Sequence, residues 1–193
     1  MAGLAPAIPF VGRQKDARVI AGHVEKVKRL STSPLVCATL RPMTDTLATG
    51  GCQCGAVRYR ITAPFENPHI CHCRMCQKAF GNYFAALVGT KKIGLHWTKG
   101  EPAYFRSSEI VARGFCRDCG TPLTFAYDTA DRIAVSIGSL DHPEAVMPAR
   151  QYGMEGCLPA FALLHTLPGT RTEDDIPAGD MKRLKSRQHP DRD

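Results

Sequence analysis

The stretch Gly50-Gly51-Cys52-Gln53-Cys54-Gly55-Ala56-Val57-Arg58-Tyr59-Arg60-Ile61 carries two signals at once. In its second half Val57, Tyr59 and Ile61 alternate with Arg58, Arg60 and Thr62, the period-two pattern of a half-buried strand, with Gly50-Gly51 read as the turn before it. In its first half two cysteines stand two positions apart ahead of a glycine. That spacing lets a tight turn swing both side chains to one side, where they can reach a single ion.

Working outward, short strand-like runs recur at Tyr83 to Val88, Ile93 to Trp97, Tyr104 to Arg106, Leu123 to Tyr127 and Ile133 to Ile137, most of them separated by Gly, Pro or charged turns. Such spacing predicts a mainly β fold of short antiparallel strands. Helix is sparse: one turn is expected at Cys76 to Phe80, and Asp141-His142-Pro143-Glu144 reads as a capped helix start. Val19 to Leu30 reads as about three turns of basic amphipathic helix. Residues 1–47 are expected to form a basic, poorly ordered extension, with residues 1–42 alternatively lying upstream of a start at Met43. Residues 48–168 then form the folded domain, and 169–193 a charged mobile tail.

The chain has 193 residues, and its net charge of +7 is uneven. Residues 1–42 carry seven Lys/Arg against two acids, whereas residues 43–170 carry twelve against ten. The body therefore lacks the basic face that a phosphate backbone calls for, which argues against a nucleic-acid partner. No apolar run approaches the roughly 20 residues of a membrane span. The N-terminus lacks the pattern of an export signal, so a reducing cytoplasm is the expected compartment.

Seven of the nine cysteines fall into three clusters: Cys52 and Cys54, then Cys71, Cys73 and Cys76, then Cys116 and Cys119. With tight Cys-x-Cys and Cys-x-x-Cys spacings, metal ligation outweighs a disulfide framework. Soft thiolates select zinc, iron–sulfur or Cu(I), and zinc is the common choice outside redox chemistry. Seven thiolates divide most simply into a closed quartet (Cys52, Cys54, Cys116, Cys119) and an open trio (Cys71, Cys73, Cys76). A closed four-cysteine site is structural, while three ligands leave a position for water or substrate. Spacing does not force the partition. Cys71 and Cys73 could join Cys52 and Cys54, leaving Cys76 with the third cluster, or His72 or Cys157 could close the trio. Adjacent residues of an extended segment face opposite ways, which disfavours His72. Cys37 and Cys157 read as ordinary small residues.

The segments Gly50 to Tyr59, Cys71-His72-Cys73-Arg74-Met75-Cys76-Gln77-Lys78, Phe115-Cys116-Arg117-Asp118-Cys119-Gly120-Thr121-Pro122-Leu123 and Gly138-Ser139-Leu140-Asp141 together resemble the glutathione-dependent formaldehyde-activating enzyme family, also called centromere-protein-V-like. The resemblance covers residues 48–165. It implies a β-tent fold, a structural zinc on Cys52, Cys54, Cys116 and Cys119, and a catalytic zinc on Cys71, Cys73 and Cys76. It further implies a carbon–sulfur lyase that condenses formaldehyde with glutathione to S-hydroxymethylglutathione, or runs the reverse. The family often carries Arg and Trp in a segment of the type Glu-Ser-Arg-Leu-Pro-Trp. Here the corresponding stretch, Tyr152 to Ala160, lacks both, which leaves the substrate less fixed than the fold. Among nearby cations, Arg74, Lys78, Arg113 and Arg117 are candidates to meet an anionic thiol. The competing readings are a non-catalytic zinc module for protein or nucleic acid, and a related zinc lyase acting on another thiol adduct.

Overall fold

A computed structural model describes residues 46–192. The region 1–45, including the helix expected over Val19 to Leu30 and Cys37, lies outside the described residues.

Among the described residues ten strands make two sheets. The smaller orders β1 (Ala48–Gly51), β2 (Arg58–Ile61) and β5 (Leu95–Lys99) as β1-β2-β5. The larger contains β3 (Glu66–Cys71), β4 (Ala85–Lys91), β6 (Ala103–Ser108), β7 (Val111–Phe115), β8 (Pro122–Tyr127), β9 (Arg132–Ser136) and β10 (Arg150–Tyr152). Its order is β10-β3-β4-β9-β8-β7-β6, antiparallel throughout except that β10 runs parallel to β3. One helix, α1 (Arg74–Phe80), follows β3, and Gly81 in the left-handed conformation ends it. The fold is mainly β with few short helices, as the strand spacing predicts.

Register divides the large sheet into two faces. Thr124, Val135 and Val88 are cross-strand partners on one side. Val88, Val135 and Leu123 pack with Tyr59 and Ile61 of the small sheet, and these apolar side chains form the core. Burial of such side chains is the main favourable term in folding, about 1.5–3 kcal/mol for each large one. Tyr59 is fully enclosed, edge-on to Trp97 at 5.8 Å, with its hydroxyl 2.8 Å from Ser139 Oγ. On the opposite side, Phe125, Ala134, Gly89 and Glu66 form another cross-strand row, flanked by Leu87 and Cys71. This second face carries the site.

Three expectations are corrected. Gly50-Gly51 belongs to β1, and the turn falls at Cys52 to Gly55, where the Gly55 N–H donates to the Cys52 carbonyl at 3.0 Å. Arg58 does not face solvent from the alternating strand. It is buried because Asp141 reaches over it, with Nη1 and Nη2 donating to the two carboxylate oxygens at 2.8 and 2.6 Å. A buried charge is tolerable only when so paired. Asp141 therefore caps no helix; its carboxylate also accepts from Thr49 Oγ1, and a single 3-10 turn forms at Pro143–Ala145 instead. Past residue 168 the chain forms two single helical turns, Thr172–Asp175 and Ala178–Met181, and the His189 N–H donates to the Gln53 carbonyl at 2.7 Å.

Candidate metal centre

The structure brings the seven clustered cysteines into two groups, four and three, with the sulfurs of each group within 4.8 Å of one another. The quartet is Cys52, Cys54, Cys116 and Cys119. Two similar turns build it, one after β1 and one between β7 and β8. Each closes on a backbone hydrogen bond to the carbonyl of its first cysteine, from Gly55 at 3.0 Å and from Gly120 at 2.9 Å. Both glycines have positive φ, 73° and 76°, a region that a side chain makes costly. The turn also aims amides at sulfur: the Val57 N–H lies 3.2 Å from Cys52 Sγ. Burial pushes the Cys116 thiol up to about 12. Cys119 also loses solvation, but Thr121 Oγ1 at 3.1 Å and nearby amides hold it at about 6.

The trio sits on the opposite side of the large sheet. Cys71 ends β3, Cys73 immediately precedes α1, and Cys76 lies on the first turn of that helix. Cys71 Sγ and Cys73 Sγ are 3.4 Å apart. Burial raises Cys71 to about 12 and raises Cys76 as well. At Cys73 burial is outweighed by the Cys76 amide and the neighbouring thiols, and its thiol is lowered. Such a split within one cluster follows from thiols crowded against each other at a helix start.

His72 and Cys157 stay out of the trio. His72 is fully buried and turned the other way, its Nε2 2.9 Å from Gln151 Oε1 and its ring edge-on to Phe161 at 4.6 Å. The Cys157 thiol faces the Leu158 carbonyl at 3.8 Å. Among the described residues no fourth His, Cys, Asp or Glu joins the three. The partition that mixes Cys71 and Cys73 with Cys52 and Cys54 does not occur.

Two features are placed by the structure in a way the sequence does not show, although Arg113 and the stretch from Tyr152 are both singled out there. Arg113 emerges from the body of β7, not from its surface. It is buried, donates through Nη2 to Cys76 Sγ at 3.5 Å and through Nε to Ser107 Oγ at 3.1 Å, and lies over the Phe125 ring at 4.9 Å. A charge inside the apolar run Val111 to Phe115 was the available signal. By contrast Arg74, Lys78 and Arg117 are exposed. The second feature is a strap, residues 150–157, laid along the trio's loop. The Tyr152 carbonyl accepts from the His72 N–H at 2.8 Å, and the Gln77 side-chain amide donates to the carbonyls of His72 and Gly156, both at 2.7 Å. Gly153, at φ 63°, lies so close that a Cβ there would stand 2.6 Å from the Cys73 nitrogen.

A cleft of about 420 Å³ opens beside the trio, with Cys71, Cys76, Leu87, Phe125, Ala134 and Tyr152 among its walls. A second groove of about 420 Å³ lies on the other side of α1 and takes in Arg74, Lys78 and Arg113. Both groups of sulfurs suit a thiophilic divalent ion. Three thiolates leave such an ion with one net negative charge, and the Arg113 guanidinium is placed to offset it. The residues present therefore fit zinc.

Residues 47–154 match the model of the family described as glutathione-dependent formaldehyde-activating enzyme. An uncharacterized lyase of Schizosaccharomyces pombe is 35% identical over 80 residues, which cover 40% of this chain and 56% of the relative. The chain thus spans little more than half the length of that curated relative. A crystal structure of a Rhodobacter sphaeroides protein aligns with a TM-score of 0.44 at 20% identity, over 53% of this chain and 98% of that one. The family match takes in the first two cysteine clusters, the third, and the strap as far as Met154, and the chain belongs to the glutathione-dependent formaldehyde-activating enzyme family.

Proposed function

We propose that the protein is a carbon–sulfur lyase that joins formaldehyde to the sulfur of glutathione, and reverses that step, at the Cys71/Cys73/Cys76 group. The observation that carries this reading is the convergence of three thiols, without a fourth protein ligand among the described residues, beside a cleft large enough for a substrate. The reading assigns two zinc ions per chain, one structural on Cys52, Cys54, Cys116 and Cys119, one catalytic on the trio, in a reducing compartment where all seven thiols stay available.

Zinc on the trio supplies charge that favours the thiolate form of an arriving thiol. The rest is the work of side chains. Arg113 fixes the Cys76 sulfur and balances negative charge around it. The groove with Arg74, Lys78 and Arg113 offers cations to the carboxylates of an anionic peptide thiol. Leu87 and Phe125 keep the encounter of sulfur and carbonyl carbon away from bulk water. The sulfur–carbon bond forms as the carbonyl becomes a hydroxyl, and the proton lost from the thiol ends on that oxygen. Holding both reactants in one place removes the entropic penalty of their meeting.

The test is exchange of 13C-formaldehyde with glutathione, followed by NMR on the zinc-loaded protein. Acceleration over buffer is expected, and Cys73→Ser returns exchange to the buffer rate while the quartet keeps its zinc. Unchanged exchange in Cys73→Ser removes the trio from catalysis.

A further inference from the structure

The two hollows differ in the charges they offer: the cleft reaches Cys76, and the groove takes in Arg113, the hydrogen-bond partner of Cys76. The groove beyond α1 carries three cations, Arg74, Lys78 and Arg113, beside Met75, Ala79 and Phe105. The cleft on the sheet face is apolar: Leu87, Phe125, Tyr127, Ile133, Ala134 and Tyr152 dominate its lining, and its charged residues Glu66 and Arg132 are bound to each other at 3.0 Å. We propose that this cleft receives the hydrocarbon tail of the carbonyl partner, so that the site accepts aliphatic or aromatic aldehydes larger than formaldehyde.

Size, wall chemistry and construction all point this way. A volume of about 420 Å³ is on the order of a dozen times the roughly 30 Å³ share of one water, whereas formaldehyde has two heavy atoms. Glutathione does not fill the remainder well. It carries two carboxylates and an ammonium group, and the cleft pairs its own two charges internally, so a peptide placed there would lose hydration without gaining a partner. The groove with these cations suits the peptide, which leaves the apolar cleft for whatever is attached to the carbon that joins the sulfur. The hollow is built by small side chains in one cross-strand row. Ala134 and Gly89 lie between Phe125 and Glu66, and Ala130 closes the cleft from the turn after β8. Bulkier residues at these points would fill it.

The reaction needs no further reagent. A thiol adds to R–CHO, the sulfur–carbon bond forms, the carbonyl π bond becomes C–OH, and the thiol proton ends on oxygen, giving a hemithioacetal. This inference rests on the trio as the place where sulfur meets carbon, and its test is chosen to fail separately from that reading.

Binding of S-methyl-, S-butyl- and S-hexylglutathione to the full-length zinc-loaded protein is measured by calorimetry. These thioethers cannot react, so binding is read without turnover. Each added methylene is expected to tighten binding roughly two- to fourfold. Ala134→Leu and, on the turn where refolding is not at stake, Ala130→Trp are expected to flatten the series. A parallel series from ethanethiol to hexanethiol separates the two readings. Length dependence in the alkanethiols alone upholds the cleft and removes glutathione. Conjugates and alkanethiols that both bind equally whatever their alkyl length overturn the cleft and leave the glutathione reading intact. A series that survives both substitutions unchanged also overturns it, because the tail then lies elsewhere.

Discussion

Replacing Asp141 by Asn tests how the scaffold beneath the quartet is held. The pair Arg58–Asp141 joins β2, next to the Cys52–Cys54 turn, to the loop after β9, and only 6% of the Arg58 side chain and 3% of the Asp141 side chain is exposed. Asn keeps the shape and one acceptor oxygen. Its amide, however, sets a donor against the guanidinium in place of the oxygen at 2.6 or 2.8 Å, and the Thr49 hydroxyl can lose its acceptor too. Breaking a buried ion pair by taking the charge from one partner costs about 3–5 kcal/mol, against about 0–1 kcal/mol for an exposed pair. With a slope of about 2 kcal/mol per molar urea, the midpoint of unfolding should fall by roughly 1.5–2.5 M. The assay is urea unfolding followed by circular dichroism at pH 7, with zinc held at one concentration for both proteins. The pH dependence follows from the same pair. Asp141 loses solvation, but hydrogen bonds from Arg58 and Thr49 hold its carboxyl below the usual carboxylate range. A depressed folded-state value means stability that is present above the unfolded value of about 3.9 and lost as pH falls through the folded one. The gap between wild type and Asp141→Asn should therefore narrow below about pH 4. A midpoint shift under about 0.5 M at pH 7, or a gap that does not close in acid, would refute the reasoning.

The other expected outcomes concern the trio. Arg113→Met removes the charge-assisted hydrogen bond to Cys76, about 1.5–3 kcal/mol, and should weaken zinc retention by the trio roughly ten- to a hundredfold in chelator competition, without loosening the quartet. Gly153→Ala puts a methyl group 2.6 Å from the Cys73 nitrogen at a positive φ, a strain of about 1–3 kcal/mol. Thiol–aldehyde exchange should drop at least about tenfold while zinc content is kept. Graded chelation should release one zinc before the other, with activity leaving alongside the first, because four ligands hold an ion more firmly than three. Metal analysis against residual exchange at each chelator concentration checks the order.

What the sequence discloses and what it hides divide along the two faces of the large sheet. Runs in β2, β4, β5, β8 and β9 were legible because their core-facing residues, such as Tyr59, Val88, Leu123 and Val135, are apolar. The strands at Glu66–Cys71 and Arg150–Tyr152 were not. Glu-Asn-Pro-His-Ile-Cys contains a proline and three polar residues, and Arg-Gln-Tyr has no apolar alternation at all. Both strands serve the open face, where residues are chosen for the cleft and the strap, so they lack the pattern that burial imposes. The cysteine partition, rightly favoured from the sequence, was left open there for a simpler reason. Cys52/Cys54 and Cys71/Cys73 share one spacing, and only the position of β1 and β3 in different sheets assigns them to different groups.

That separation also explains the role of Gly138-Ser139-Leu140-Asp141, a run that supplies no ligand to either group of sulfurs. Ser139 Oγ meets the buried Tyr59 hydroxyl, the Asp141 N–H donates to the Thr49 carbonyl at 3.0 Å, and its carboxylate holds Arg58. The run ties β1 and β2 to the end of β9 and so fixes the first metal turn relative to the large sheet that presents the second. The chemistry proposed for the trio needs its loop, Arg113 and the strap to keep their mutual positions within a fraction of an ångström. Those positions are inherited from β3, β7 and β10, strands of one sheet, whose opposite face is pinned by the core and by this tie. A substitution at Asp141 should accordingly lower stability long before it alters exchange per folded molecule, whereas one at Gly153 should do the reverse.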